Sequence, residues 1–349
     1  MTAIWDLPDF DAHESVHVFD DKKSGLRAVI SVHSTHLGPA AGGTRFWHYE
    51  EKQLAVTDAL RLSRGMSYKN AMAGLPLGGG KGVVLADQRR AKTPDMLAAF
   101  GRAIESLGGR YVTAEDVGMS DADMVAIAKE TRHVSGLPVT KQGTAGGDPG
   151  PFTARGVYLG IKAAAKQRLG VDSMAGVHVA IQGIGSVGGG VARLLAADGA
   201  KLTLSDIDQD KLSQMAKETG AQTAALHEIM SVKADILSPN ALGAVLSASS
   251  IAHLNVAIVA GGANNQMATT SDAKRLFDRG ILYAPDYVIN AGGIINVGLE
   301  YLGDASVDDV NARIDMIPAR LHVIWEESAA EKLPSAVIAD RMAQRLIGR

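Results

Sequence analysis

The segment from Ser67 to Gly82 (SYKNAMAGLPLGGGKG) holds two lysines separated by proline and glycines. Lys69 and Lys81 offer positive charge for an anionic group, and a lysine whose pKa is lowered also acts as a base. Because proline and glycine interrupt regular structure, we expect a helix end, a loop, and then a strand that begins near Lys81. Solvated lysines beside a glycine loop are the alternative interpretation of this segment alone.

An acidic turn follows later in the same half of the chain. Residues 110–113 are predicted to form a strand that ends in Ala114–Glu115–Asp116–Val117–Gly118, and Ser120 is predicted to cap the next helix. Residues 14–20 and 26–32 favour an antiparallel hairpin. LGPAAGGTRFW (37–47) is expected to be a second loop of small residues, and residues 53–66 have helical periodicity.

A dinucleotide-binding pattern begins at residue 177. A predicted strand (177–182) leads into a glycine-rich turn and helix, and a second strand (201–205) ends at Asp206. Such glycines permit a tight turn and the approach of a pyrophosphate to a helix N-terminus. Asp206 suits ribose hydroxyls and repels a 2′-phosphate, which favours NAD over NADP. The alternative is a structural turn with Asp206 as a helix cap. The turn contributes Gly183, Gly185, Ser186, Val187 and Gly188.

Three later predicted strands (235–237, 256–259 and 281–283) each end at a polar or glycine-rich turn. Ligands bind at the carboxyl ends of strands in doubly wound sheets, so the turn asparagines Asn264, Asn265 and Asn290 are candidate cofactor contacts. Asparagine also tolerates left-handed turn conformations, which is their structural explanation. Strands that alternate with helices predict an α/β protein, and Gln142–Pro151 is predicted to be a linker.

Composition excludes several classes of site. The 349 residues include no cysteine, which excludes disulfides and thiolate chemistry. The net charge of −3 gives no reason to expect nucleic acid. The N-terminus lacks a signal-peptide pattern and no segment is long enough to span a membrane, so we expect a cytoplasmic protein. His13–His17 (HESVH) matches a zinc-protease pattern, but it runs into a predicted strand instead of the required helix, so we expect no metal.

The motifs together resemble the Glu/Leu/Phe/Val amino-acid dehydrogenase family, in its leucine and phenylalanine dehydrogenase branch. The resemblance implies NAD-dependent oxidative deamination of an L-amino acid to a 2-oxo acid and ammonia. It also implies a homo-oligomer, a dimer or an octamer. The matching segments are LGPAAGGTR, DALRLSRGMSYKNAMAGLPLGGGKG, AEDVG, GPFTARGVYLG, QGIGSVG, AGGANNQ and PDYVINAGGIINV.

The resemblance also implies two domains separated by a cleft that holds the active site. Residues 1–145 would form the α/β catalytic and oligomerisation domain. Residues 146–319 would form the Rossmann NAD-binding domain. The helices of about 320–349 would pack back on the first domain.

By resemblance, Lys69 holds the substrate carboxylate, Lys81 is the catalytic lysine and Asp116 exchanges a proton with the amino nitrogen. Asn264 resembles the asparagine near substrate and nicotinamide. Burial and a neighbouring cation lower a lysine pKa toward the operating pH, which a general base requires. Further implied contacts are Gly42 with the substrate, Thr153 and Asn290 with the nicotinamide carboxamide, and the 183–188 turn with Asp206 as the dinucleotide fingerprint.

Side-chain specificity is expected from Ala41, Ala114, Ile294 and Val297, which resemble the family's apolar pocket. These apolar positions favour leucine, valine, phenylalanine or tryptophan as substrate. Glutamate dehydrogenase is an alternative that would need a cation in the pocket. A non-catalytic NAD-binding sensor is a second alternative, although Lys69, Lys81 and Asp116 are all present.

Overall fold

The computed structural model describes residues 3–7, 9–87, 91–139, 141–303 and 305–349. Contacts divide the chain into two compact units. The first comprises Met1–Asp148, Ile294–Val310 and Ala343–Arg349, and the second comprises Pro149–Gly293 and Asn311–Met342.

Both units are built on a sheet covered by helices, which confirms the α/β class predicted from the sequence. The helices in chain order are α1 (Lys52–Met72), α2 (Pro94–Glu105), α3 (Asp121–Ile127), α4 (Gly150–Leu169), α5 (Ser186–Ala197), α6 (Gln209–Thr219), α7 (Ala248–His253), α8 (Ser271–Asp278), α9 (Asp286–Ile289), α10 (Gly292–Leu302), α11 (Val307–Ile314), α12 (Ile317–Glu331) and α13 (Ser335–Leu346).

The sheet of the first unit has five strands in the order β1-β2-β4-β3-β5. The predicted hairpin is confirmed, since β1 and β2 pair in antiparallel register. β4 pairs antiparallel with β2 and parallel with β3, and β3 pairs parallel with β5. The strands are β1 (Ser15–Asp21), β2 (Leu26–Ser34), β3 (Ala40–Trp47), β4 (Gly78–Leu85) and β5 (Tyr111–Glu115).

The two glycine-rich segments of this unit are strands, and the loops predicted for them are wrong. Gly78–Gly80 begin β4, and Ala40–Trp47 form β3. Small residues are needed there because neighbouring backbone lies directly against the sheet. A Cβ on Gly79 would lie 2.0 Å from the Ser67 amide nitrogen of α1, and one on Gly42 would lie 1.9 Å from the Gly80 carbonyl oxygen. Close packing, not a turn, accounts for the glycines.

Apolar side chains cover both faces of this sheet. On one face α1 contributes Ala55 and Ala59, which pack with Val29 and Val83. The other face carries a larger core that includes Phe100 and Ile104 of α2 and Met124 of α3. Alternation along each strand therefore assigns odd-numbered residues of β4 to the α1 face, because Val83 lies there.

The sheet of the second unit has six strands in the order β11-β10-β9-β6-β7-β8. All of its pairs are parallel, and counted from β6 the order is that of the classic doubly wound dinucleotide fold. This confirms the predicted Rossmann architecture. The strands are β6 (His178–Gln182), β7 (Lys201–Ser205), β8 (Gln222–Thr223), β9 (Ile236–Pro239), β10 (Ile258–Val259) and β11 (Leu282–Tyr283).

The C-terminal helices differ from the expectation that residues 320–349 pack on the first domain. α12 packs against α4 and α9 of the second unit, and the Trp325 indole donates a 2.9 Å hydrogen bond to the Tyr283 carbonyl. Only residues 343–349 of that segment belong to the first unit. There the Arg349 guanidinium donates to the carbonyls of Asp11 and Ala12. Buried apolar residues on α12 explain its attachment to α4.

No helix within the described ranges combines the length and the apolar character that a bilayer crossing requires.

Candidate active site

Lys81 and Asp116 form a close ion pair in the first unit. The Lys81 ammonium lies 2.6 Å from Asp116 Oδ2, with 7% of the lysine side chain and 23% of the aspartate side chain exposed. Lys81 is in the middle strand β4, and Asp116 follows the last residue of β5. Register places Lys81 and Ala114 beside Gly43 of the intervening strand β3. The sheet therefore brings together two residues that are 35 positions apart in sequence.

Burial and charge act on this pair in opposite directions. Burial lowers the pKa of Lys81 below its ordinary value, although the Asp116 carboxylate offsets part of the effect. Burial alone would raise the pKa of Asp116, but the charges of Lys81 and then Arg45 hold that pKa below its ordinary range. Asp116 is thus an anion at neutral pH, and Lys81 gives up its proton more readily than a solvated lysine.

Small apolar residues lie on the same sheet face as the pair. Ala41 is two residues before Gly43 on β3, and Ala114 is two residues before Asp116. Side chains alternate along a strand, so Ala41, Ala114, Lys81 and Asp116 share the α1 face. Both alanines are nearly buried, at 6% and 8% exposed. The face therefore combines an ion pair with a surface that has little side-chain bulk.

The other predicted substrate residues are distributed over neighbouring elements. Lys69 lies in the last turn of α1. The helix was predicted over residues 53–66, but it continues past Lys69 and ends at Met72. The Lys69 side chain is half-buried. Ile294 and Val297 lie on α10, which contributes to the first unit from residue 294 onward. Gly42 lies on β3, where a side chain would overlap the Gly80 carbonyl.

In the second unit the three fingerprint glycines have three different surroundings. Gly183 has a φ of +85°, which an L-residue rarely adopts. A Cβ on Gly188 would lie 2.0 Å from the Gly183 carbonyl oxygen, whereas one on Gly185 would meet no atom within 4 Å. A pyrophosphate site requires a tight turn, open space for the phosphates and close packing of the helix on the turn. Gly183, Gly185 and Gly188 meet these requirements in that order. Ser186 begins α5 and Val187 follows it, so their backbone N–H groups belong to the helix N-terminus.

Asp206 follows β7 and braces this turn. Its Oδ2 accepts a 2.8 Å hydrogen bond from the Ile184 amide, and its Oδ1 accepts one of 2.9 Å from the Asp208 amide. Each carboxylate oxygen has a further lone pair, so both remain able to accept ribose hydroxyls. Asp208, not Asp206, is the N-cap of α6, which excludes the helix-cap explanation of Asp206.

Asn290 and Asn264 are directly connected. The Asn290 side-chain amide donates to Asn264 Oδ1 at 2.8 Å and to the Gly262 carbonyl at 3.1 Å. The buried Asn290 Oδ1 has no hydrogen-bond partner among the described atoms. A nicotinamide carboxamide supplies the N–H donor that such an oxygen lacks, so this residue fits the expected cofactor. Thr153 lies close to the same segment, because a Cβ on Gly293, three residues after Asn290, would be 2.7 Å from Thr153 Oγ1. Residues of the second unit therefore fit a bound dinucleotide.

Comparison with known proteins gives two family matches. Residues 12–133 match the model described as Glu/Leu/Phe/Val dehydrogenase, dimerisation domain, and residues 204–343 match Glutamate/Leucine/Phenylalanine/Valine dehydrogenase. The chain is 44% identical to leucine dehydrogenase of Geobacillus stearothermophilus over 96% of its own length and 90% of the relative's. It is 43% identical to valine dehydrogenase of Streptomyces virginiae, with 97% and 94% covered.

The chain belongs to the Glu/Leu/Phe/Val dehydrogenase family. It is therefore an amino-acid dehydrogenase, an oxidoreductase that acts on a small molecule with the help of a pyridine nucleotide. Among solved structures it is similar to L-tryptophan dehydrogenase from Nostoc punctiforme, with a TM-score of 0.86, 39% identity and 96% of each chain covered.

Beside the Lys81–Asp116 pair the structure shows two residues that the sequence analysis did not single out, Arg45 and Asp58. Arg45 Nε contacts Asp116 Oδ2 at 3.2 Å, and Arg45 Nη1 contacts Asp58 Oδ2 of α1 at 2.7 Å. Arg45 stands two residues after Gly43, so the strand alternation would have pointed it toward Lys81 had β3 been recognised as a strand.

The zinc-protease pattern has a structural explanation in this dehydrogenase. Residues 15–21 form β1, so the helix that such a metal site needs is absent from the segment. His13 Nε2 instead contacts the Leu60 carbonyl at 3.0 Å and Ser63 Oγ at 3.1 Å. The described part of the chain contains no group of three or more His, Asp or Glu side chains arranged to bind a metal.

Proposed function

We propose that this chain catalyses NAD-dependent, reversible oxidative deamination of an apolar L-amino acid to its 2-oxo acid and ammonia. The observation that carries the proposal is the buried 2.6 Å pair of Lys81 and Asp116 on a face lined by Ala41 and Ala114. A general base and an anion beside an apolar surface suit an amino acid that has an uncharged side chain.

Lys81 is proposed as the general base. Bound NAD supplies the acceptor for the hydride that leaves the substrate α-carbon. Water then adds to the resulting iminium, and a base must take the water's proton. Burial supports this role, because it lowers the pKa of Lys81 toward the range where the neutral amine is populated. Asp116 accepts hydrogen bonds or a proton from the amino nitrogen, and Lys69 holds the substrate carboxylate.

Apolar specificity rests on the small side chains. Ala41 and Ala114 fill little space, and Ile294 and Val297 add apolar surface on α10 without charge. Leucine, valine, phenylalanine and tryptophan are candidate substrates: relatives are named for leucine, valine and tryptophan, and the family description includes phenylalanine. Pocket size discriminates among apolar side chains by only about 1–3 kcal/mol per methylene, so a panel must decide among them.

The test of this function is NADH formation at 340 nm from a panel of L-amino acids, with glutamate included. We expect turnover of an apolar amino acid and loss of about 10²–10⁴-fold in Lys81→Met. Lys166→Met is the matched control, because that lysine has a 72% exposed side chain paired with Asp172. Glutamate as the preferred substrate would refute apolar specificity. NAD binding without any turnover would favour the sensor alternative, and near-normal activity of Lys81→Met would overturn the base assignment.

The choice of NAD over NADP is proposed from the Asp206 carboxylate. Its negative charge would repel a 2′-phosphate, whereas its oxygens accept ribose hydroxyls. Asp206→Asn removes the charge but keeps one acceptor oxygen for the turn. We expect at least a roughly 10-fold rise in the NADP-to-NAD ratio of kcat/KM. An unchanged ratio would refute the assignment of Asp206 to the ribose.

A homo-oligomer, a dimer or an octamer, is also proposed. Its support is that residues 12–133 match a model described as a dimerisation domain. Light scattering coupled to size exclusion measures the assembly directly, and a mass of 36.5 kDa would refute the proposal. Location in the cytoplasm stays a prediction from the sequence.

A further inference from the structure

The Lys81–Asp116 pair is extended by a second cation and a second anion. Arg45 Nε lies 3.2 Å from Asp116 Oδ2, the same oxygen that the Lys81 ammonium contacts at 2.6 Å. Arg45 Nη1 lies 2.7 Å from Asp58 Oδ2. The guanidinium thus bridges two carboxylates, and one oxygen of Asp116 receives both cations.

Asp58 is itself fixed in place. The Tyr49 hydroxyl donates to Asp58 Oδ2 at 2.7 Å, and Arg61 donates to Asp58 Oδ1 at 2.8 Å. Asp58 is 15% exposed and Arg45 is 23% exposed, so these contacts are better shielded from water than a surface pair. A planar guanidinium held by two carboxylates has little rotational freedom. The arrangement fixes where Arg45 can present its Nε–H.

We propose that Arg45, anchored by Asp58, is a positioning residue that holds Asp116 against Lys81 and keeps Asp116 ionised when Lys81 loses its proton. Without Arg45, a proton that leaves Lys81 would have an uncompensated carboxylate 2.6 Å away. With Arg45, the carboxylate keeps a cation partner throughout the cycle, so the proton goes to water or substrate instead. The inference rests on the proposed dehydrogenase reaction.

The charges around the pair fix the sign of the expected pH effect. Lys81 faces Asp116, Arg45 and Asp58, while α1 also carries Arg61 and Lys69. The Arg45 charge lowers the pKa of Lys81 and also lowers that of Asp116. Removing this charge therefore raises both pKa values. The acidic limb of the kcat/KM profile, which reports formation of neutral Lys81, should move to higher pH.

The experiment compares Arg45→Met, Arg45→Lys and Asp58→Asn with the parent chain, using the preferred amino acid. For Arg45→Met we expect a fall in kcat of at least about 10-fold and a limb displaced upward by about one pH unit. Arg45→Lys keeps the positive charge but cannot contact Asp116 and Asp58 in the same way. It should therefore return the acidic limb to its parental pH while recovering only part of kcat. Arg102→Met is the matched control, because Arg102 on α2 is 58% exposed and pairs with Glu130, not with Asp58 or Asp116.

Asp58→Asn tests whether Asp58 acts through Arg45. It should lower kcat in the parent chain but have less than about a twofold effect in the Arg45→Met background. Circular dichroism melting reports folding. Should Arg45→Met fail to fold, Arg45→Lys and Asp58→Asn carry the comparison, and parental kcat in both would overturn the proposal.

Other outcomes separate this inference from the proposed function. A parent chain that oxidises no amino acid refutes the function. Suppose that the parent is active and that Arg45→Met folds. If this variant keeps the parental kcat or the parental position of the acidic limb, the inference is refuted while the proposed function stands. Loss of kcat with an unmoved limb and no recovery in Arg45→Lys would mean that Arg45 is merely structural, which also overturns it.

Discussion

At Gly79, helix α1 packs directly against strand β4 of the candidate catalytic unit. A Cβ added to Gly79 would lie 2.0 Å from the Ser67 amide nitrogen, 2.2 Å from Ser67 Oγ and 2.5 Å from the Ser63 carbonyl oxygen. Ordinary contacts of this kind are at least 3.4 Å. In Gly79→Ala, the helix and the strand must therefore separate by about 1.4 Å at this point.

This displacement has two measurable consequences. Overpacking of a filled interior costs about 1–3 kcal/mol, so the free energy of unfolding should fall by that amount. α1 also carries Lys69, two residues after Ser67, while Lys81 lies two residues after Gly79. We propose these lysines as the substrate-binding and catalytic groups, and a shift of about 1 Å between such groups lowers kcat/KM by up to about 100-fold. We therefore expect a variant that folds less stably and turns over substrate far more slowly.

Gly65→Ala is the matched control, since it makes the same change on α1, the helix that Gly79 packs against. A Cβ on Gly65 meets no atom within 4 Å. Because alanine is the better helix former, this variant should gain about 0.5–1 kcal/mol and keep its activity. Urea titration gives both free energies, and steady-state assays give kcat/KM. The reasoning fails if Gly79→Ala stays within about 0.5 kcal/mol and twofold of the parent chain.

Two further predictions concern the nucleotide turn and acid stability. Gly188→Ala should lower both stability and NAD affinity, because its Cβ would lie 2.0 Å from the Gly183 carbonyl oxygen. Gly185→Ala should weaken NAD binding but leave the melting temperature within a few degrees of the parent's, since its Cβ would meet no protein atom within 4 Å. Equal melting temperatures for the two variants would contradict this. Burial and then the Arg349 charge lower the pKa of His33 to about 4. The unfolded chain therefore takes up this proton first, and stability should fall by roughly 3 kcal/mol as pH drops from about 6.5 to 4. His33→Gln should flatten that part of the urea-derived stability profile, and an unchanged slope would exclude His33 as its cause.

Much of the fold could be predicted from the sequence because periodicity and caps act locally. Ser120 was recognisable as an N-cap, and its side chain accepts a hydrogen bond from the backbone amide of Asp123, three residues on. The nucleotide turn was recognisable because strand, glycines, helix and acid follow in order. Helix ends were less predictable, since α1 continues to Met72 although the periodic segment was predicted to end at residue 66.

The site was predictable for residues inside recognisable motifs and unpredictable where distant segments meet. Lys81 and Asp116 were both named from their motifs, and β4, β3 and β5 bring them to 2.6 Å. Arg45 and Asp58 were missed because their importance depends on a sheet register and a helix position that no local pattern reveals. The C-terminal segment was misjudged for the same reason, since the attachment of α12 depends on which buried surface it meets.

The two glycine-rich segments show why composition alone could not separate packing from ligand access. The glycines on β4 have no positive φ, so they are not needed for an unusual backbone conformation. They instead leave room for α1 and for the Tyr111 ring, since a Cβ on Gly80 would lie 2.6 Å from that ring. In the nucleotide turn Gly185 faces open space instead, so its missing side chain leaves room that the protein itself does not fill. A glycine is therefore a candidate for ligand approach when its absent Cβ would point into a void, and a packing residue when that position is already occupied. By this criterion Gly185 is assigned to the proposed cofactor site, whereas Gly79 lets α1, which carries Lys69, pack against the strand that carries Lys81.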